Sequence, residues 1–188
     1  DIASNLRYTP RQIRQSARQG ARVIHFSECS LSGYAGVEFP DMSHLDWEAL
    51  VAATESIQQA ARETGTWVVL GSTHRLTGRH KPHNCLYLID PEGEIVDRYD
   101  KRFCTGTGGR QPTMDLSHYS PGSHPVTFSV DGIRLGLLIC YDYRFPELYR
   151  EYCTRGVKIL LQSFHNARST VVDDQSYNIW RTIVPSTM

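Results

Sequence analysis

Glu28, Lys101 and Cys140 each stand at or just past the end of an apolar run. Glu28 lies beyond Arg22-Val23-Ile24-His25-Phe26, and Lys101 lies beyond Ile95 to Tyr99. Cys140 closes Ile133 to Ile139 before a turn into a helix. In α/β domains, strand ends are where polar groups from distant segments converge into one crevice. A carboxylate, an ammonium and a thiol meeting there would be a base, an electrophile and a nucleophile. On spacing alone, plainer uses outweigh that one. A strand-end cysteine more often serves as a small buried hydrophobe, a lysine as a solvated edge charge, and a glutamate as a cap on a local turn.

Other reactive residue types make weaker sites. His80 and His83 have metal-pair spacing, but no carboxylate or cysteine is suitably placed nearby, so a solvated loop is expected and no metal. Cys104 follows Lys101 by three residues with nothing to activate it, and Cys29 and Cys153 read as structural. The run from Cys104 to Gly109 lacks the pattern of a phosphate loop. His165 lies past a strand ending near Ser163, where it lines a pocket or fills a rim.

The elements that must position these groups alternate. Thr9-Pro10 reads as the start of a helix that Gly20 stops, with Ile13 and Ala17 on its apolar side and Arg11, Arg14 and Arg18 as a solvated stripe. A second helix is predicted over Trp47 to Thr64, with Leu50, Val51, Ile57 and Ala61 on one side and Gly65 at its end. Strands are predicted over Arg22 to Phe26, Trp67 to Gly71, Cys85 to Ile89, Ile95 to Tyr99, Val126 to Val130, Ile133 to Ile139 and Val157 to Leu161. Asp90-Pro91-Glu92-Gly93 and Asp131-Gly132 are hairpin turns. A short helix spans Pro146 to Arg155. Helices between short strands predict a layered α/β domain, and the hairpins make its sheets mixed. The aperiodic stretch from Arg102 to Gly122 reads as an active-site wall.

Three local sequences in this framework resemble the signatures of the nitrilase superfamily, the carbon–nitrogen hydrolases. Val23 to Tyr34 is similar to the first, an apolar strand leading to a glutamate and then to Gly-Tyr. Tyr99-Asp100-Lys101-Arg102-Phe103 looks like the second. Leu137 to Glu147 matches the third, C-Y-D-x-R-F-P-E, along its whole length. Ser27 and Ser32 stand where that family has proline and threonine, and Asp115 precedes Gly122 by seven residues where many members carry a second glutamate. A shorter carboxylate there is expected to hold Lys101 less directly.

The resemblance implies an α-β-β-α sandwich with mixed sheets and a Glu28–Lys101–Cys140 triad without cofactor. It implies hydrolysis of a small amide or carbamoyl amine, less often a nitrile, through a cysteine thioester. The Tyr141 backbone N–H would join Lys101 in stabilising the oxyanion. Asp142, Arg144 and Glu147 would pair with one another or with backbone to fix the turn presenting Cys140, and Tyr34, Phe145 and His165 would wall the pocket. A homodimer or higher homo-oligomer follows, with the helix after Cys140 at the interface. A non-catalytic scaffold of the same fold is the competing reading; a thiol-redox protein is disfavoured because no resolving cysteine sits close in sequence.

The resemblance covers residues 1–188 as a single domain that lacks the family's first strand and its C-terminal strands beyond the Trp180 region. Val23, Ile24, Val68 and Leu160 are then expected to be poorly covered. A polypeptide ending at Asp1 and Met188 would be insoluble or partly unfolded, and a longer one a stable oligomer.

Composition narrows the classes. Of 188 residues, 40% are hydrophobic and 21% charged, which excludes a disordered chain. Twenty basic against 20 acidic residues argue against a nucleic-acid binder, and no apolar run approaches a membrane span. Five cysteines without a C-x-x-C pair fit reduced thiols and a cytoplasmic protein.

Overall fold

A computed structural model describes residues 1–77, 79–106 and 114–165. Its first sheet has the order β1-β2-β3-β4, built from Val23–His25, Trp67–His74, His83–Ile89 and Ile95–Asp100. The second has the order β5-β6-β7, built from Thr127–Val130, Ile133–Ile139 and Ile159–Ser163. β1 runs parallel to β2, and β6 parallel to β7, while the remaining neighbours are antiparallel. Both sheets are therefore mixed. Asp131 and Gly132 take φ of +51° and +79°, the left-handed pair that a two-residue hairpin requires.

The register puts Val69, Leu88, Leu86 and Tyr99 on one face of the first sheet, where they join Phe128, Leu135, Leu137 and Ile139 in one buried cluster. Helices close the outer sides. Ile13 of α1 (Ile2–Arg18) and Leu50, Ile57 and Ala61 of α2 (Trp47–Thr64) pack on Ile24, Val68, Leu70 and Ile89. A four-residue α3 (Asp115–His118) precedes β5, and on the far side α4 (Pro146–Thr154) sends Tyr152 over β6. A Cβ at Gly136 would lie 2.7 Å from the Tyr152 ring, and the Tyr152 hydroxyl donates to the Leu137 carbonyl at 2.5 Å. The layers are α, β, β, α.

Three expectations are corrected. α1 begins at Ile2 rather than at Thr9-Pro10, because the Asp1 side chain caps it by accepting Ser4 N–H at 2.8 Å. Pro10 has no N–H for the Leu6 carbonyl. The packing of Ile13, with Ile2 and Leu6 against the α2 cluster, carries the helix through it. Val51 is 60% exposed. It follows Leu50 by one residue, a rotation of about 100° that takes it off the buried stripe. Ile24 and Val68, expected at poorly covered edges, are 7% and 0% exposed beneath α1 and α2. Val23 and Leu160 are partly buried.

Gly71 is where β2 presses on the turn that carries Glu28. A Cβ there would lie 1.9 Å from the Ser27 carbonyl oxygen and 2.9 Å from the Cys29 nitrogen. Gly71→Ala is expected to destabilise by at least the about 1–3 kcal/mol typical of overpacking, read from denaturant midpoints. It should also displace the turn that holds the Glu28 carboxylate.

Candidate active site

Cys140 directly follows β6 with φ of +42°, a conformation rare outside glycine. A 3-10 turn, Cys140–Arg144, follows and leads through Phe145 into α4, with Pro146 at its first position. Fully buried Asp142 makes this elbow. Its carboxylate accepts Ile139 N–H at 3.0 Å, Phe103 N–H at 2.8 Å and the Tyr99 hydroxyl at 2.8 Å. The same side chain thus shapes the turn and ties it to the segment after Lys101. Burial pushes the Asp142 carboxyl up, against the pull of these three donors. Asp142→Ala would leave the donors unpaired and is expected to cost about 3 kcal/mol, measured by chemical denaturation. Arg144 donates to the Tyr143 hydroxyl at 3.2 Å and lies over the Tyr141 ring, while Glu147 is exposed in the first turn of α4. The Tyr141 N–H belongs to the first residues of the turn, where helical geometry offers no acceptor.

Glu28 sits on a turn beyond β1 closed by Ser30 N–H to the Ser27 carbonyl at 3.2 Å and Leu31 N–H to the Gly71 carbonyl at 2.9 Å. Its side chain is buried. Oε1 accepts from Lys101 Nζ at 2.8 Å and from Asn84 Nδ2 at 2.7 Å, and Oε2 accepts the His165 backbone N–H at 2.9 Å. Lys101, one residue past β4, donates its own N–H to the Asn84 carbonyl at 2.9 Å. Its Nζ lies 2.8 Å from Asp115 Oδ2 on the other side. Burial alone would lower the lysine's proton affinity, but Glu28 and Asp115 raise it above the usual lysine range. Asp115 is held by Thr105 N–H at 2.9 Å and by the Tyr34 hydroxyl. The shorter carboxylate therefore reaches Lys101 directly.

The Cys140 thiol lies within electrostatic reach of both Glu28 and Lys101. Burial first, and the charge of Glu28 second, push it up to about 12, with Lys101 opposing. At neutral pH it rests as a thiol and needs a base to become a nucleophile. Glu28, Lys101, Cys140 and Asp115 thus come together from four separate segments.

Of the expected pocket residues, Tyr34 and His165 meet here, their rings stacked with centroids 5.0 Å apart, and His165 Nε2 lies 2.9 Å from Glu38 Oε1. Phe145 instead stacks on Phe103 at 3.5 Å and packs against the sandwich core. Cys104 lies near, its thiol also pushed up to about 12, mainly by burial. His83 is a buried strand residue rather than part of a solvated loop, with Nδ1 2.9 Å from the Ser120 carbonyl. Among the described residues no group of three His, Cys, Asp or Glu could hold a metal, and no helix is long and apolar enough to cross a membrane. Cys153 is exposed on α4 rather than structural. The readings of residues 107–113 and of 166–188, including the Trp180 region, fall outside the described residues.

Sequence reasoning missed Asn84, Glu38 and the backbone N–H of His165. Asn84 carried a signal, an amide in the interior of an apolar strand where an unpaired polar group is costly. Its Oδ1 has no partner among the described residues.

A partly buried thiol beside a buried carboxylate and ammonium, at the strand ends of an α-β-β-α sandwich, defines a class. The chain belongs to the carbon–nitrogen hydrolase family, whose pattern matches residues 1–186. It is 30% identical to an omega-amidase of Homo sapiens over 151 residues, 79% of this chain and 53% of that protein. It is 31% identical to a 2-oxoglutaramate amidase of Bacillus subtilis (strain 168) over 144 residues, 76% of this chain and 52% of that one. The chain spans about half the length of the curated relatives it matches. A solved amidase of the nitrilase superfamily from Nesterenkonia AN1 superposes with a TM-score of 0.79 at 23% identity, covering 100% of this chain and 66% of that one.

Proposed function

We propose that the protein is an amidase that cleaves the carbon–nitrogen bond of a small amide or carbamoyl amine through a thioester on Cys140. The observation that carries this reading is the meeting of groups around Glu28: Lys101 Nζ donates to its buried carboxylate at 2.8 Å, and the Cys140 thiol lies near enough to feel both charges. Glu28 takes the thiol proton as sulfur attacks the carbonyl carbon. It gives that proton to the departing nitrogen, so that the C–N bond breaks and ammonia or an amine leaves. Glu28 then takes a proton from water, whose oxygen attacks the thioester, and returns it to sulfur as the acid departs. An ammonium has three donors. Two of Lys101's go to Glu28 and Asp115, and the third serves the oxyanion together with Tyr141 N–H, each worth about 3–4 kcal/mol in comparable sites.

In this reading residues 1–188 act as one carbon–nitrogen hydrolase domain, in a cytoplasmic homodimer or higher homo-oligomer that associates through α4. The test is ammonia or amine release by the full-length protein from a panel of small amides, carbamoyl amines and nitriles. Turnover of an amide is expected. No turnover of any of them, together with a Cys140 inert to every thiol probe, would favour the non-catalytic scaffold.

A further inference from the structure

Glu28 uses its two carboxylate oxygens unequally. Oε1 accepts from both Lys101 and Asn84, at 2.8 and 2.7 Å, which fills the two acceptor sites of one oxygen. Among the described residues Oε2 accepts only the His165 N–H, at 2.9 Å, which leaves one of its two acceptor sites for a proton. A proton taken up by Glu28 therefore goes to Oε2, and the residue-165 N–H is what aims that oxygen.

That backbone group is held in place by contacts outside the triad. The His165 ring stacks on Tyr34 at an interplanar angle of 11°, and its Nε2 lies 2.9 Å from Glu38 Oε1. Glu38 comes from the loop after Tyr34, where its N–H bonds the Tyr34 carbonyl at 2.9 Å. It passes over Gly33, at which a Cβ would lie 2.8 Å from Glu38 Oε2. A side chain at 33 would push that carboxylate aside. On the other side, Ser163 bonds His25 Nε2 at 2.7 Å and the Phe26 carbonyl at 2.8 Å, fixing the end of β7 beside the end of β1.

We propose that Glu38 is a positioning residue for the base. Through the His165 ring it holds the residue-165 N–H on Glu28 Oε2 and so orients the oxygen that exchanges a proton with Cys140. The proposal rests on the reading of Glu28 as that base. Glu38 does not hydrogen-bond Glu28, and its side chain is 44% exposed, so its replacement does not threaten the core.

The experiment compares Glu38→Ala, Glu38→Gln, His165→Ala and the Glu38→Ala/His165→Ala double variant of the full-length protein. It reads kcat and KM on a hydrolysed amide, and independently the rate at which iodoacetamide alkylates Cys140 at neutral pH. Glu38→Ala should lower both kcat and the alkylation rate about tenfold, the scale of a modest misplacement, with KM and melting temperature nearly unchanged. Glu38→Gln, whose amide oxygen still accepts from the ring, should recover most of the loss. The double variant should be no worse than His165→Ala alone. Additive losses, a Gln variant as impaired as Ala, or an unchanged alkylation rate would overturn the proposal. A wild-type protein that hydrolyses no amide would overturn the activity reading instead, and the alkylation rates would still decide the role of Glu38.

Discussion

Replacing Cys140 with alanine is expected to abolish turnover, by a factor on the order of 10⁴ or more, in a chain that still folds. The matching chemical result is selective alkylation. Cys140 should be modified faster at neutral pH than buried Cys29 and Cys85 or partly buried Cys104. Exposed Cys153 provides an internal standard of ordinary thiol reactivity. Glu28→Gln should remove the advantage, because the variant lacks the proposed proton acceptor while burial still holds the Cys140 thiol above the ordinary cysteine range. Its alkylation should then follow the thiolate fraction, rising about tenfold per pH unit through the neutral range and still rising above pH 9, where a free thiol has levelled. Peptide mass mapping at several pH values reads this directly. Early modification of Cys104 or Cys29, or near-normal turnover by Glu28→Gln, would move the nucleophile or the base elsewhere, with Asp115 the next base to test.

Lys101→Ala carries the second large effect, and it acts on stability as well as rate. Lys101 Nζ lies 2.8 Å from both Glu28 and Asp115, and all three side chains are essentially without exposure. Removing the ammonium leaves two buried carboxylates with no counter-charge, expected to cost roughly 3–5 kcal/mol. It also removes an oxyanion donor, so turnover should fall by about 10²–10³-fold. Urea denaturation of both proteins at neutral pH reads the loss; a variant as stable as the wild type would show that the carboxylates find another partner.

The sequence was most legible where local chemistry and packing agree. β6 has the bounds predicted for it, Ile133 to Ile139, because both of its faces are buried from Leu135 on and a left-handed Asp-Gly pair marks its start. α2 was legible in the same way, between the Asp46 cap and the left-handed Gly65. The start of α1 was not, since a proline that commonly opens a helix sits nine residues into this one, where tertiary packing outweighs a missing hydrogen bond. His83 was misread for a related reason: a strand that admits histidine and asparagine at its start has no apolar periodicity to announce it. The meeting of Glu28, Lys101 and Cys140 was suggested by strand ends and by three local signatures, each a property of a short stretch. Asn84, Glu38 and the residue-165 N–H act only across sequence separations of 56, 127 and 137 residues, and no short stretch records such contacts.

For the proposed chemistry of Glu28, Lys101 and Cys140, their placement on both sheets makes the thickness of the sandwich a catalytic dimension. Glu28 and Lys101 leave the first sheet, Cys140 leaves the second, and between the two lies the slab of Val69, Leu86, Leu137 and Ile139. Stacked sheets sit about 10 Å apart, a spacing set by the side chains between them. A proton, by contrast, transfers over a donor–acceptor gap that tolerates only a few tenths of an ångström. A methylene gained or lost deep in that slab therefore acts as a shim between base and nucleophile, altering their reach without touching either. Hydrostatic pressure, which squeezes the same layer, would act on the chemistry through the same dimension.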